Sequence, residues 1–484
     1  MNPPRRASST EPLLDWGRAP ALDAFETLMW RMDRYPNLRS AVVGVVMLDR
    51  ATDAERVRAA HEWGSRAVPR LRERLVEVPL GRPEWVVDTD FTLDAHLQFI
   101  DLPSPGSDRQ LLDLCAAFAM EPFDRARSPW AARMINGLSG GRSAYVLKLH
   151  HAMSDGIGIV QLLSFMFSRQ RAPSIERKTQ ALPELPSASP TDAPRLMARQ
   201  AQRELGKLPG RVRAGFDTLR RFVAAGEGSE KRSRLSEVAA YAGSLRRALA
   251  PEMATPSPLL AERSNQWRFE VLDFPLAPFK AASKACGATL NDAFVAGLLG
   301  GFARYHDEMG VDAEEMPIGM PINIRKADAT GGGNHFAPGQ LIGPLGALSP
   351  RERMQRIGEQ VSRQRNEPAL AAPLAVMPLL AALPADAVAK VMGPKMALND
   401  LQCSNVPGIR DDVYIAGAHA TQVYPFAPAP GVPAMISLVT HGATCCIGMN
   451  LDSGAITEPD RLVRCMRESF DEIMSLKPQQ RGDA

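Results

Sequence analysis

Two stretches of this chain alternate between strand-like and helix-like segments, and a stretch of different composition separates them. Along the first 170 residues, short β-branched runs are followed by amphipathic or apolar runs, one of which begins after the capping residue Asp53. Strands are predicted at 39–48 and 142–149, and helices at 54–63, 108–120 and 157–167. This alternation is typical of an α/β fold.

The same alternation resumes in the second half of the chain. Strands are predicted at 267–274, 316–324, 434–440 and 444–451, and helices at 290–305 and 459–475. Between the two stretches, residues 176–250 begin with a Pro- and Ser-rich loop and contain 15 basic and 8 acidic residues. We therefore predict an N-terminal half (1–175), a basic helical linker (176–262) and a C-terminal half (263–484).

Composition limits the class of protein. The 484 residues suffice for two to four domains, and the net charge of +3 argues against a dedicated nucleic-acid binder. The six cysteines form no Cys-x-x-Cys pair and the N-terminus has no apolar signal segment, so we expect a reduced, cytoplasmic protein. The uncharged segment 368–385 is divided by four prolines, and we expect it to line an apolar tunnel, lie on a membrane or form a buried helix pair.

The turn between the strand at 142–149 and the helix at 157–167 has the sequence His-His-Ala-Met-Ser-Asp-Gly, residues 150–156. A histidine at the end of a strand can act as a general base, because its side chain titrates near neutral pH. Asp155 can brace the turn through an ion pair, and Gly156 permits a tight turn into the helix. The pattern is poor as a metal site because adjacent histidine side chains diverge. A purely structural strand–helix turn remains the alternative.

His-His-x-x-x-Asp-Gly resembles the signature of the CoA-dependent acyltransferase superfamily. Other segments resemble one branch of it, the bacterial wax ester synthase/diacylglycerol acyltransferases, and they follow in that family's order. They are 91–106, 127–138, 287–305, 320–325 with Gly333-Asn334, and 403–417. One departure is Ser128-Pro129-Trp130, where the family has Pro-Leu-Trp, and it bears on the preferred substrate.

The resemblance implies roles for individual residues. His151 would be the general base that activates the acceptor hydroxyl and reprotonates the leaving CoA thiolate, with His150 supporting it. Asp155 would be structural and would pair with an arginine, for which Arg325 is one candidate. Asn291 would hold the acceptor or the oxyanion, or serve as a helix N-cap.

Four further positions are implied with lesser roles. Asp292, Ser404 and Asn405 would be structural and would shape the interface between the halves. Trp130 lies in the Pro-Leu-Trp-like segment and would bind substrate or stabilise the fold.

The fold implied by the resemblance is two chloramphenicol-acetyltransferase-like α/β domains with mixed sheets flanked by helices and an active-site tunnel between them. The implied reaction moves a long-chain acyl group from acyl-CoA to diacylglycerol or a fatty alcohol, with no cofactor beyond the acyl-CoA co-substrate. Alternatives are a condensation-type enzyme of the same superfamily, a glycerophosphate-type acyltransferase, and a catalytically inactive lipid-binding or lipid-droplet protein.

Water-insoluble substrates imply a peripheral position on a membrane or lipid droplet. The linker is a candidate for this docking, because a helix could gather its basic residues beside apolar ones. The residues concerned are Arg195, Arg199, Arg203, Lys207, Arg211, Arg213, Arg220 and Arg221, with Leu196, Leu205, Leu208, Phe216 and Leu219. A solvated linker helix is an equally weighted alternative.

Overall fold

The structure is a computed structural model that describes most of the chain. Its main feature is a pair of six-stranded sheets. The described residues are 16–17, 19–79, 81–172, 181–187, 194–203, 244, 253–323, 336–367, 370, 372–375 and 377–477. Arg325, Gly333, Asn334 and most of the predicted linker lie outside them.

The first sheet has the strand order β11-β12-β1-β6-β5-β4, and a separate hairpin pairs β2 with β3. The strands of the N-terminal half are β1 (Ala41–Leu48), β2 (Glu73–Val76), β3 (Glu84–Val87), β4 (Leu97–Asp101), β5 (Trp130–Asn136) and β6 (Ser143–His150). Its helices are α1 (Ala24–Met32), α2 (Ala54–Ala67), α3 (Asp108–Met120) and α4 (Gly156–Met166). The predicted α/β alternation is confirmed here, including Asp53 as the N-cap of α2.

The second sheet has the order β7-β14-β13-β10-β8-β9. The strands of the C-terminal half are β7 (Trp267–Pro275), β8 (Glu315–Asn323), β9 (Phe336–Pro344), β10 (Leu401–Val406), β11 (Tyr414–Ile415), β12 (Ala418–Phe426), β13 (Ala434–His441) and β14 (Thr444–Asp452). Its helices are α5 (Leu276–Ala285), α6 (Leu290–Met309), α7 (Pro350–Arg365), α8 (Ala372–Ala375), α9 (Met377–Ala381), α10 (Ala385–Met396) and α11 (Pro459–Ser475).

The two halves are joined by strand exchange. β11 and β12 leave the C-terminal half, and β12 pairs antiparallel with β1 from Val43↔Phe426 to Leu48↔Ala420. Phe426 in turn stacks on Phe269 of β7, with ring centroids 3.9 Å apart. One hydrophobic cluster therefore contains residues of both sheets, so that the two halves share part of their core.

The second sheet opens between β8 and β10. β10 pairs with β13 along its whole length, from Leu401↔Ala434 to Val406↔Val439. Its parallel pairing with β8 stops after Gln402↔Gly319, while β8 stays paired with β9 as far as Asn323. Because β8 and β10 are parallel, they are unpaired towards their carboxyl ends, the side on which open α/β sheets bind ligands, and we call this unpaired region the crevice.

Within the uncharged segment 368–385, the described residues include the short helices α8 and α9, each of which contains a proline. In the described part of the chain, no single helix is long and apolar enough to cross a membrane; α5 and α6 meet the criterion together, but with a bend of 98° between them.

The described start of the linker packs on the N-terminal half. Leu196 is buried against Val78 and Val86. Arg203 pairs with the buried Glu84 at 2.9 Å. Leu196 is therefore not available for the membrane docking that one of the two linker alternatives requires, because the protein itself covers this side chain.

Candidate active site

The turn that follows β6 is held by backbone hydrogen bonds on both sides. The Met153 N–H donates to the His150 carbonyl at 2.9 Å, which closes the turn. The His151 N–H donates to the Ser40 carbonyl at 2.8 Å, which ties the turn to the residue just before β1. Backbone hydrogen bonds alone therefore fix the main chain at His151.

His150 is fully buried, and its tautomer follows from its contacts. Nδ1 accepts the Ala152 N–H at 3.0 Å, so in the neutral ring the proton lies on Nε2, which is 3.5 Å from Asp33 Oδ1. The rings of Trp30 and Phe123 pack against it edge-on. Burial lowers the pKa of His150 to about 4, so this ring stays neutral at physiological pH and supports the turn.

His151 lies in the turn itself, one residue beyond the end of β6. Its side chain is half-buried, whereas that of His150 is closed off from solvent. Of the two histidines, His151 is therefore the one that a substrate can reach, and it is the candidate general base.

Asp155 is the N-cap of α4. Its Oδ1 accepts the Gly158 N–H at 3.0 Å, which satisfies one of the free amides at the start of the helix. The carboxylate thus sets where α4 begins. The candidate partner Arg325 lies outside the described residues, so the arginine pairing stays a prediction.

Gly156 is required for a reason that the sequence did not indicate. It is not among the residues with positive φ, so the backbone freedom of glycine that was expected to permit the turn is not used here. A Cβ at this position would lie 2.8 Å from Val406 Cγ2 at the end of β10. The start of α4 therefore lies against the strand that borders the crevice, and this contact joins the turn of residues 150–156 to the C-terminal half.

Asn291 is the second residue of α6, and Thr289 is the N-cap of that helix. The N-cap alternative for Asn291 is therefore wrong. Its half-buried Nδ2 lies 3.6 Å from the Met320 sulfur, a weak acceptor. An amide with such a weak partner can bind an oxygen of the substrate at little cost.

The neighbouring Asp292 stabilises the start of α6. Its Oδ2 accepts hydrogen bonds from the backbone N–H and the hydroxyl of Thr289 and so completes a capping box. A Cβ on Gly358 of α7 would lie 3.3 Å from this carboxylate. Asp292 thus has a structural role at the start of α6, and its expected effect on the interface between the halves stays a prediction.

Ser404 and Asn405 lie on β10, beyond the point where it separates from β8. Both are half-buried, and their backbones pair with Ser437 and Leu438 of β13. They border the crevice next to Val406.

Trp130 belongs to the core of the N-terminal half. It is buried, its Nε1 donates to the Leu71 carbonyl at 2.7 Å, and its ring stacks on His96 at 4.7 Å. Of the two roles implied for it, these contacts favour the structural one.

Sequence reasoning missed Asp33 and Ser40. Asp33 ends α1, is buried, and accepts the Ser40 N–H at 2.7 Å in addition to facing His150. It therefore contacts His150 directly and His151 through the Ser40 backbone. No motif marks it, although a lone acid after an amphipathic run is a weak signal.

Comparisons with known proteins agree with this geometry. The wax ester synthase/diacylglycerol acyltransferase catalytic domain matches residues 22–294, and the C-terminal domain of the same family matches residues 333–474. The chain belongs to the wax ester synthase/diacylglycerol acyltransferase family. It is therefore an acyltransferase of the His-His-x-x-x-Asp-Gly type.

Relatives and solved structures of this family cover nearly the whole chain. A Mycobacterium tuberculosis (strain H37Rv) relative named as a diacylglycerol O-acyltransferase is 35% identical over 94% of this chain and 92% of its own. The wax ester synthase/diacylglycerol acyltransferase from Marinobacter aquaeolei VT8 matches with a TM-score of 0.63 at 18% identity, over 94% of this chain and 98% of its own.

A condensation domain of the calcium-dependent antibiotic synthetase matches with a TM-score of 0.59 at 15% identity, over 94% of this chain and 98% of its own. The predicted fold, two acyltransferase-type α/β halves, is thereby confirmed.

Proposed function

We propose that this enzyme transfers a long-chain acyl group from acyl-CoA to the hydroxyl of diacylglycerol or a fatty alcohol, which gives triacylglycerol or a wax ester. The observation that carries the proposal is the contact between the His151 turn and the β8–β10 crevice through Gly156 and Val406. Membership of the family supports the same substrate class.

The proposed reaction balances with His151 as the single proton carrier. The imidazole takes the proton of the acceptor hydroxyl as its oxygen attacks the thioester carbonyl carbon. The tetrahedral intermediate then expels the CoA thiolate, and the imidazolium returns the proton to the sulfur. The enzyme ends in its starting state, so the reaction requires no cofactor besides acyl-CoA.

Asn291 is proposed to donate its amide hydrogen to the oxyanion or to the acceptor oxygen. His150 and Asp33 position the turn and do not touch the substrate. The wax and triacylglycerol products are insoluble in water, which supports a cytoplasmic enzyme that works at the surface of a membrane or lipid body.

One assay tests the proposed function. Purified protein is given palmitoyl-CoA with diacylglycerol, with a fatty alcohol, and with a fatty amine, and CoA thiol and lipid product are quantified together. We expect equal amounts of thiol and ester with the hydroxyl acceptors. Amide formation in excess of ester would favour the condensation-type alternative, and thiol release no faster than in buffer would favour an inactive lipid-binding protein.

A further inference from the structure

The exposed side of α9, α10 and the residues after them is unusually apolar. Four of the eight large apolar side chains exposed in the described part of the chain lie here: Leu379, Leu383, Val391 and Leu398. Pro378, Ala382, Pro384 and Pro394 are exposed beside them. We propose that this surface, the apolar face, docks the enzyme on a lipid surface by inserting these side chains among acyl chains.

A neighbouring helix of the same half provides the comparison. The exposed positions of α7 are all polar or charged: Glu352, Gln355, Arg356, Glu359, Ser362, Arg363 and Arg365. An isolated exposed leucine is unremarkable, but four large exposed apolar side chains within residues 379–398 indicate a binding surface. The two segments lie in one half of the protein, so the difference between them is local to the apolar face.

The few charges on the apolar face favour binding by insertion of apolar side chains into lipid over binding by electrostatic attraction. Among the side chains that the structure describes on this face, the exposed charged ones are Asp386 and Lys390, and Asp386 is hydrogen-bonded to the Tyr35 hydroxyl. A surface on which apolar side chains outnumber charged ones gains less from anionic headgroups than from insertion, since leucine and valine gain free energy wherever they leave water. We therefore infer a neutral lipid surface that contains the acceptor.

The helix α1 connects the apolar face to the turn that carries His150 and His151. Leu28 and Met32 of α1 pack in a common cluster with Met377 and Val388 beneath the face. Arg31 of the same helix donates to the Ala381 carbonyl at 2.8 Å.

The helix α1 ends at Asp33, whose carboxylate lies 3.5 Å from His150. Lipid bound at the apolar face would thus lie close to the site where an apolar acceptor is used.

The described start of the linker is a weaker candidate for this docking. Its Leu196 is covered by the protein, and Arg203 and Arg199 lie 2.9 and 3.8 Å from the carboxylate of Glu84. These groups are already engaged within the protein.

The inference rests on the proposed function for its biological meaning, and the experiment separates the two. Full-length protein is floated with vesicles of phosphatidylcholine and diacylglycerol at low and at high salt. The test variant is Leu379→Gln/Leu383→Gln/Val391→Gln. The control is Leu182→Gln/Leu185→Gln, which removes two equally exposed leucines from elsewhere on the described surface.

We expect wild type and control to float at both salt concentrations and the test variant to bind at least roughly tenfold more weakly. Flotation of the test variant equal to wild type, an equal loss in the control, or wild-type binding abolished by salt would overturn the inference. Thermal melting checks the fold, and transfer to a short-chain, water-soluble alcohol without vesicles should be equal in all three proteins. If no protein transfers acyl groups, the proposed function fails while the flotation result still decides the docking.

Discussion

The two six-stranded sheets contribute differently to one site. In the first sheet, β6 is paired with β1 over all eight of its residues and with β5 over six, up to the residue next to His150. In the second, β10 is paired with β13 over six residues but with β8 over two. In the proposed mechanism, the first sheet therefore holds the general base in a fully paired strand, and the second provides the space for the substrate.

The largest effect expected from this division is on His151. His151→Ala removes the general base and should lower the rate of acyl transfer about 10²–10⁴-fold, with little change in the melting temperature, because the side chain is not part of the core. The rate of CoA release with diacylglycerol measures it. His150→Gln is the matched variant and should lose less activity; a greater loss there would reverse the two roles.

The packing of the first sheet around His150 can be tested by the pH dependence of stability. Burial lowers its pKa to about 4 in the folded protein, whereas the unfolded chain binds a proton near pH 6.5. Between these values the unfolded state binds one proton more than the folded state. The contribution of His150 to the free energy of unfolding is therefore complete above pH 6.5 and is lost, by up to about 3 kcal/mol, as the pH drops towards 4.

Urea unfolding at a series of pH values measures this dependence. In His150→Gln the dependence should be flatter, since the glutamine does not titrate. The other buried histidines, His61, His96 and His306, also have lowered pKa values, and they contribute with the same sign in both proteins. An identical slope in the variant would mean that His150 is not held neutral.

The contact between the two sheets can be broken and repaired at Gly156. Gly156→Ala places a Cβ against Val406 and should lower the free energy of unfolding by about 1–3 kcal/mol. Adding Val406→Ala should recover most of that loss and much of the activity. Thermal melting and turnover of the two single variants and the double variant measure the coupling, and additive losses would show that the two residues do not touch.

The smallest effect concerns the cap on α4. Asp155→Ala should lower the free energy of unfolding by about 0.5–2 kcal/mol, because the Gly158 N–H loses its acceptor. Asp155→Asn keeps an N-cap oxygen but not the charge. Recovery of stability by asparagine would assign the residue to capping; a loss as large as that of alanine would mean that an ion pair dominates.

Much of the fold could be predicted from local patterns. Helix-like patterns gave the bounds of α3 and α11, a β-branched run gave β1, and short apolar runs gave β13 and β14 to within two residues. The exchange of β12 into the first sheet could not be predicted, because pairing across more than 370 residues leaves no local signal. The same limit hid Asp33, which reaches His150 across 117 positions of sequence.

The candidate site followed the same rule. The histidine turn was recognisable because its residues are contiguous. The reason for a glycine at position 156 was not recognisable, since the neighbour that excludes a side chain there is Val406, 250 residues away in sequence. The amide of Asn291 was mistaken for a possible cap because Thr289, two positions earlier, offers a similar signal and forms the cap instead.

The central claim is that both halves act on one transition state, His151 from the first and Asn291 from the second. A double-mutant cycle of His151→Ala and Asn291→Ala, measured as single-turnover formation of triacylglycerol, tests it most directly. We predict that the double variant is clearly less impaired than the product of the two single losses, because the second change removes help from a step already slowed. Losses that multiply fully would show that the two residues contribute independently, and wild-type turnover of Asn291→Ala would contradict a shared site.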